Sequence, residues 1–324
     1  MANAANYHRI LFTGATGFVG RYLAPAIAEE FPLAKRLILR RHGDLATREG
    51  WNTVDVDMLD SAAVDVAIAD FRPDLVLHFA AQASVGSSAG EAEFTWKVNF
   101  DGSLTLGAAC ARHVPDATLL FASSAEVYGW SFLDGPARED TALKPGSVYG
   151  RSKAAAEAML ADVLAPQARL IVTRAFNHTG PFQDERFVLP AFAAQIAAIE
   201  AGRKDPRLQV GNLEAARDFL DVRDVCAAYL SLLRTAPELP LRGAFIIGSG
   251  HARKIRAIVE QLSGLSRRQF EIAVDPARLR ASDIPIAAGA SDRLFAATGW
   301  QLKIPFDDML LALLNYWRNG VSEP

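Results

Sequence analysis

The sequence predicts an α/β fold: a doubly wound parallel sheet joined to a smaller, discontinuous C-terminal α/β domain. Three observations predict it. Short β-branched or Leu-rich runs alternate with longer Ala-rich helical stretches through the first half of the chain. The run DLVLHFA (74–80) is apolar with almost no alternation, as expected of a strand covered on both faces. The spacing of strand to helix suits repeated strand–helix–strand units, whose crossovers stack helices on both sides of a sheet.

The elements follow in order. RILFT (9–13) reads as a buried strand and FVGRYLAPAIAEEF (18–31) as a helix. RLILR (36–40) is the second strand, and VDVDMLD closes a third. DSAAVDVAIADF (60–71) is a helix with Asp60 as its cap. After the strand at 74–80 come a helix over about 91–112, the strand ATLLFASS (117–124) and a Gly/Pro-rich loop (129–147). The helix YGRSKAAAEAMLADVL (149–164) and the strand ARLIVTR (168–174) complete this half. Beyond about residue 175 the texture changes. A long loop (177–190) precedes a helix (188–201), an extended stretch (207–211), a helix (222–235), the strand GAFIIG (243–248) and helix starts at 291–299 and 305–317. Residues 1–175, with parts of 212–248, are expected to form one domain, and 176–211 with 249–324 the other.

Composition narrows the class of function. The 324 residues are 50% hydrophobic, enough for a large core, and the net charge of −3 draws the chain to neither nucleic acid nor an anionic membrane. Cys110 and Cys226 are far apart with no CxxC spacing, so neither a disulfide scaffold nor a zinc ribbon is expected and a reducing compartment fits. The opening MANAANYHR is too short for a signal peptide, and no apolar run reaches membrane-spanning length. A soluble cytoplasmic protein without a metal is the expectation.

GATGFVG sets Gly14, Gly17 and Gly20 between the first strand and the first helix. One glycine lets the chain reverse, one admits a pyrophosphate close to the backbone, and one lets helix and strand pack closely, while the helix N-terminus supplies N–H donors. The spacing is GxxGxxG, and its strand–turn–helix setting predicts a Rossmann-like dinucleotide site. An acidic residue at the end of the second strand would take a ribose 2′-hydroxyl; Arg40 and Arg41 stand there instead and suit a 2′-phosphate, favouring NADP(H) over NAD(H). The alternative is a pair of solvated surface arginines. Asp57 and Met58 lie where an adenine would sit, though Asp57 is equally suited to a turn.

Tyr149 and Lys153 are four apart at a helix start and so share a face. An ammonium beside a phenol favours phenolate, making the tyrosine a usable proton donor and acceptor near neutral pH. Ser123, Ser124 and Glu126 fall at the carboxyl edge of the sheet, where ligands bind in open α/β sheets.

Taken together, GATGFVG, LHFAAQASV, VNFDGSLTL with Asn99, FASSAEVYG and YGRSK resemble, in order and over essentially the whole chain, the extended short-chain dehydrogenase/reductase family. The resemblance implies Ser124, Tyr149 and Lys153 as the catalytic set, and Asn99 as structural. It places the cofactor along Gly14, Thr16, Gly17, Phe18, Val19, Gly20, Arg40, Asp57 and Met58. The remaining implied cofactor contacts are Phe79, Ala80, Ala81, Ser123, Phe176 and His178, together with Tyr149 and Lys153.

RAFNHTGPFQDERFVLPAFAAQI (174–196), GNLEAARDF within 210–225 and RASDIPIAAGASDRLFAATGW (280–300) resemble the branch acting on GDP-linked 6-deoxy-hexoses. There, 4,6-dehydratases usually read NHESP and GNLDAKRDW, and carry threonine at the position of Ser124; NHTGP, GNLEAARDFLDVRD and Ser124 are similar to the 4-keto reductases. This implies NADPH-dependent reduction of the C4 ketone of GDP-4-keto-6-deoxy-D-mannose to GDP-D-rhamnose. GDP-mannose 4,6-dehydratase, or another nucleotide-sugar epimerase or reductase, is the alternative, kept open by Glu126. The implied substrate contacts are Ser84, Ser124, Glu126, Asn177, Val188, Arg217, Arg280 and Asp283, the last a position where relatives more often carry Glu. His178 lies next to the expected nicotinamide pocket or is a hydrogen-bonded loop residue, and Arg217 serves substrate or pairs with Asp218. His78 is expected to be structural. Helices 91–112 and 149–164 would pair across a two-fold, giving a homodimer.

Overall fold

The computed structural model describes residues 5–44, 47–82, 90–278 and 284–321. Its first half runs β1 (Arg9–Thr13), α1 (Phe18–Glu30), β2 (Lys35–Arg40), β3 (Asn52–Asp55), α2 (Ser61–Phe71), β4 (Leu75–His78), α3 (Ala92–Trp96), α4 (Gly102–His113), β5 (Thr118–Ala122), α5 (Val148–Val163) and β6 (Arg169–Ala175). Then come β7 (Asn177–Thr179), α6 (Val188–Glu200), β8 (Arg207–Val210), β9 (Ala216–Asp221), α7 (Val222–Arg234) and β10 (Arg242–Ile247). The remainder is β11 (Ala252–Lys254), α8 (Ile255–Leu265), β12 (Glu271–Val274), β13 (Ile286–Ala287), α9 (Asp292–Thr298) and α10 (Phe306–Val321).

Seven parallel strands form the main sheet in the order β10-β6-β5-β4-β1-β2-β3. The order turns back on itself between β1 and β4, so the crevice for a ligand opens at their carboxyl ends. Apolar residues on successive positions of one strand enter different cores. Phe12 packs with Leu23, Ile27 and Tyr229 on the side of α1 and α7. Leu11 packs with Val76, Leu106 and Leu160 on the side of α2, α4 and α5. This two-sided burial is why the strand sequences lack alternation. A third core, including Leu189, Ile196, Leu208, Ile258 and Leu313, sits under the C-terminal elements.

Two helix starts follow from their caps. Asp60 accepts from the amides of Ala62 and Ala63 at 3.1 and 3.0 Å. Ser147 accepts from Gly150 N at 2.9 Å and opens α5.

Three features depart from the sequence expectation. The single helix over 91–112 is broken by a π-turn at Lys97–Asp101. Its buried Asn99 is held from outside the helix, accepting from Gln82 N at 2.8 Å and donating to Ser152 Oγ at 3.0 Å. The stretch 177–190, read as all loop, begins with β7, which pairs in parallel with β9. β9 itself, read only as a motif, is the centre of a small sheet with β7, β11 and β13, while β12 pairs with β8. Strands of two to four residues have too little pattern to be seen locally; their partners define them.

Gly20 packs so closely on the turn before α1 that a Cβ would overlap the carbonyl of Ala15. Gly20→Ala is therefore expected to destabilise the fold by about 1–3 kcal/mol through overpacking. A urea-unfolding midpoint equal to that of the unaltered protein would contradict this.

Candidate active site

The glycine turn is shaped by contact, not only by flexibility. Gly14 has φ +80°, and a Cβ there would stand 2.5 Å from Ala80 N and from the Phe79 carbonyl carbon. The ends of β1 and β4 therefore meet over a bare backbone. Gly17 is the N-cap of α1 and brings no side chain to its first-turn amides. A side-chain-free cradle facing a helix N-terminus fits a dinucleotide pyrophosphate. Thr16, Phe18, Val19, Phe79, Ala80 and Ala81 line this region, each half-buried. Phe18 stacks on the His178 ring with centroids 6.2 Å apart and planes 7° apart.

At the end of β2, Arg40 and Asp55 are register partners, and Arg40 Nε donates to Asp55 at 2.7 Å. Arg40 is therefore not the solvated cation of the alternative reading, although Arg41 is exposed. Asp57 accepts from Leu59 N at 2.9 Å as a turn residue, and Met58 packs beside Gly102. Sequence reasoning missed Arg48. Its guanidinium donates to the carbonyls of Ala15 and Thr16, each at 3.1 Å, and clamps the glycine turn from the β2–β3 connection. No motif surrounds it, so nothing local pointed to it.

Ser124 follows β5, and its Oγ accepts from Glu126 N at 3.2 Å. Tyr149 is buried on the first turn of α5, and the Ser124 side chain is the group that lowers its pKa against burial. Lys153 is buried one turn on; its Nζ donates to Ala122 O at 2.8 Å and lies 4.7 Å over the Phe121 ring. Burial pushes Lys153 down to about 7, against the pull of Glu157. The expected direction for Tyr149 is reversed. Burial pushes its hydroxyl up to about 12; the Ser124 hydrogen bond works against this and the charge of Glu126 with it. Ser123 is buried, and its hydroxyl donates to Glu157 in the interior. Successive positions at a strand end point to opposite faces, so only one of the two serines can face the crevice.

His178 is half-buried on β7, with Nδ1 hydrogen-bonded to Phe176 O at 3.0 Å, and burial lowers its pKa. The hydrogen-bonded reading describes what holds this ring, which also stacks against the start of α1. Phe176 is buried against Phe132. Asn177 and Val188 are exposed at the starts of β7 and α6. Arg217, half-buried on β9, donates to Ile284 O at 2.7 Å. The alternative Arg217–Asp218 pair is not what holds Asp218. That carboxylate is buried and accepts from Ser249 N, Ser249 Oγ and Gly250 N at 2.9, 2.5 and 3.0 Å, with burial pushing it up to about 6. Ser84, Arg280 and Asp283 lie outside the described residues. His78 is internal: its ring nitrogens meet Thr13 Oγ1 at 2.7 Å and Ser103 Oγ at 2.9 Å. Both cysteines are buried and free. Among the described residues, no helix is long and apolar enough to cross a membrane.

Known proteins resemble this chain along nearly all its length. The model of the GDP-mannose 4,6 dehydratase family matches residues 11–312. GDP-6-deoxy-D-mannose reductase of Pseudomonas aeruginosa is 33% identical over 317 residues, 97% of this chain and 99% of that protein. The structure of RMD from Pseudomonas aeruginosa complexed with NADPH aligns with a TM-score of 0.80 at 31% identity, covering 97% of this chain and 100% of that one. Thermus thermophilus UDP-glucose 4-epimerase in complex with NAD aligns with a TM-score of 0.82 at 27% identity, covering 96% and 99%. A match reaching from β1 into α10 takes in the glycine turn, the carboxyl edge and both smaller sheets. The chain therefore belongs to the GDP-mannose 4,6-dehydratase family, within the extended short-chain dehydrogenases/reductases, and is an NAD(P)-dependent oxidoreductase.

Proposed function

We propose that this chain reduces the C4 ketone of GDP-4-keto-6-deoxy-D-mannose with NADPH, forming GDP-D-rhamnose. The observation that carries the reading is Tyr149, buried on the first turn of α5 with the Ser124 side chain acting on its hydroxyl and the buried Lys153 one turn on, at the carboxyl edge beside the glycine cradle. The similarity to GDP-6-deoxy-D-mannose reductase supports the substrate class. A bound reduced nicotinamide would supply the hydride that adds to C4. Tyr149 gives its proton to the carbonyl oxygen, so the C=O bond becomes CH–OH and solvent reprotonates the tyrosine. Ser124 donates to the same oxygen and orients it. Lys153 would hydrogen-bond the nicotinamide ribose and hold a positive charge one helical turn from Tyr149. Asn177, Val188 and Arg217 serve the sugar and diphosphate in this reading, and Ser84, Arg280 and Asp283, outside the described residues, are assigned to the substrate by the resemblance alone. Residues 1–175 with parts of 212–248 hold the cofactor in this reading, and 176–211 with 249–324 the substrate. A homodimer completes it, with α3 and α4 offering exposed Phe94, Trp96 and Leu104 to a two-fold partner.

NADP(H) is favoured because the end of β2 carries Arg40 and Arg41 and no acidic residue. The acidic group at this edge is Asp55 on β3, which neutralises Arg40.

Glu126 supports a second reading, GDP-mannose 4,6-dehydratase, since it is half-buried within reach of Tyr149's field and a carboxylate there can take a C5 proton.

The two readings separate experimentally. With the keto sugar nucleotide, the purified protein is expected to consume NADPH, and Tyr149→Phe to lower kcat by about 10²–10⁴-fold while keeping its melting temperature. No loss of the reduced-cofactor absorbance would refute the reductase. Glu126→Gln is expected to leave that reduction within about threefold of wild type, because this residue has no proton to move in it. Conversion of GDP-mannose to a 4-keto product that Glu126→Gln abolishes would establish the dehydratase instead. Asp55→Asn, which removes the carboxylate that Arg40 Nε donates to, should raise the NADPH-over-NADH ratio of kcat/KM by about tenfold. An unchanged ratio would remove Arg40 from cofactor selection.

A further inference from the structure

α5 carries a third functional position on the face of Tyr149 and Lys153. Glu157 is one turn beyond the lysine and 7% exposed. Residues four apart on a helix are neighbours, so the three side chains form one row. The Glu157 carboxylate is fully engaged. Ser123 Oγ donates to one oxygen, and Arg174 reaches both, with Nε 3.2 Å from each and Nη2 2.7 Å from Oε2. Arg174 is itself buried on β6, and its Nη1 donates to Tyr128 OH and Glu139 O, each at 3.0 Å. Glu139 in turn accepts from Ile246 N on β10 at 3.0 Å. The carboxylate thus ties the catalytic helix to the end of β5, where Ser124 is the next residue, and to β6 and β10.

A buried ion pair of this kind is a poor source of stability, because desolvation consumes most of the Coulomb gain. Its position supplies a different reason for it. Lys153 is buried with only Ala122 O and the Phe121 ring face at its head, and neither carries charge. The titratable groups that act on that head electrostatically are Glu157 on its own helix and the neutral His78 on β4; Arg174 on β6 is paired with Glu157.

We propose that Glu157 is a positioning residue of the reaction: its buried carboxylate is the counter-charge that keeps Lys153 an ammonium and the strut that fixes the Ser123–Ser124 segment. The inference rests on the reading of Lys153 and Tyr149 given above. The electrostatic direction agrees with it, since burial lowers Lys153 and Glu157 opposes that lowering.

The sign of the test follows. Loss of the ammonium sets an alkaline limit on kcat/KM, so removing the counter-charge moves that limit to lower pH. In Glu157→Gln the alkaline limb is expected about one pH unit lower, a tenfold loss at a fixed pH on the limb. In Glu157→Asp the charge stays but the strut is one methylene short. The limb should hold its wild-type position while kcat falls about 5–50-fold through misplacement of Ser124. Melting temperatures of both variants are recorded alongside, because a merely structural role lowers them without moving the limb. A Glu157→Gln limb coincident with wild type overturns the proposal. If that variant does not fold, Glu157→Asp decides alone, and either a limb shifted as far as one unit or an unchanged kcat overturns it. Failure of the wild-type protein to turn over refutes the reductase reading instead, so the two failures are distinguishable.

Discussion

One chain of buried hydrogen bonds joins the end of β1, before the glycine turn, to α5, the helix of Tyr149 and Lys153. Thr13, the last residue of β1, bonds His78 at the end of β4; His78 bonds Ser103 on α4; Ser103 donates to Asn99 O at 2.6 Å; and Asn99 donates to Ser152 on α5. Every link is buried. A buried polar group costs stability unless paired, and a fully paired network admits one arrangement of the elements that carry it. Burial, with the charge of Lys153 adding, pushes His78 down to about 3, so the ring is neutral and each nitrogen has one fixed task. The π-turn at Asn99 belongs to the same constraint, because a regular helix would not hold that side chain toward Gln82 and Ser152 at once.

This rigid link sets the stage for a conflict at the site. The fold buries Tyr149 and Lys153, and burial alone moves each away from the ionisation that proton transfer needs. Each carries a compensating partner: Ser124 for the tyrosine and Glu157 for the lysine. Those partners are joined in turn, since Ser123 beside Ser124 donates to Glu157. The groups that set the ionisation of Lys153 are therefore bound up with hydrogen bonds that also hold β5, β6 and α5 together.

Much of the main sheet was legible along the chain. Its strands are apolar on both faces, its first turn is glycine-rich, and the cap Asp60 begins a helix where expected. The Tyr149–Lys153 pair was legible because helical periodicity alone sets them on one face. The small sheet was not, since β7, β11 and β13 are three residues or fewer and exist by pairing with β9 or, for β7 and β13, directly alongside it. Arg48 was not legible either, because it acts on backbone carbonyls more than thirty positions away, where no sequence spacing points.

What the sequence by itself determined is the set of local preferences: which runs are strands, which turn is bare enough for a pyrophosphate, and which side chains share the catalytic face. These depend on neighbours within a few residues. Only the tertiary structure decided that Ser123 turns inward while Ser124 meets Tyr149, that Asp55 neutralises Arg40, and that Asp218 belongs to Ser249 and Gly250 and not to Arg217. The physical reason is that burial and pairing are properties of groups brought together from distant parts of the chain. Desolvation shifts the pKa of Tyr149, Lys153 and Asp218, and desolvation exists only once the elements have packed.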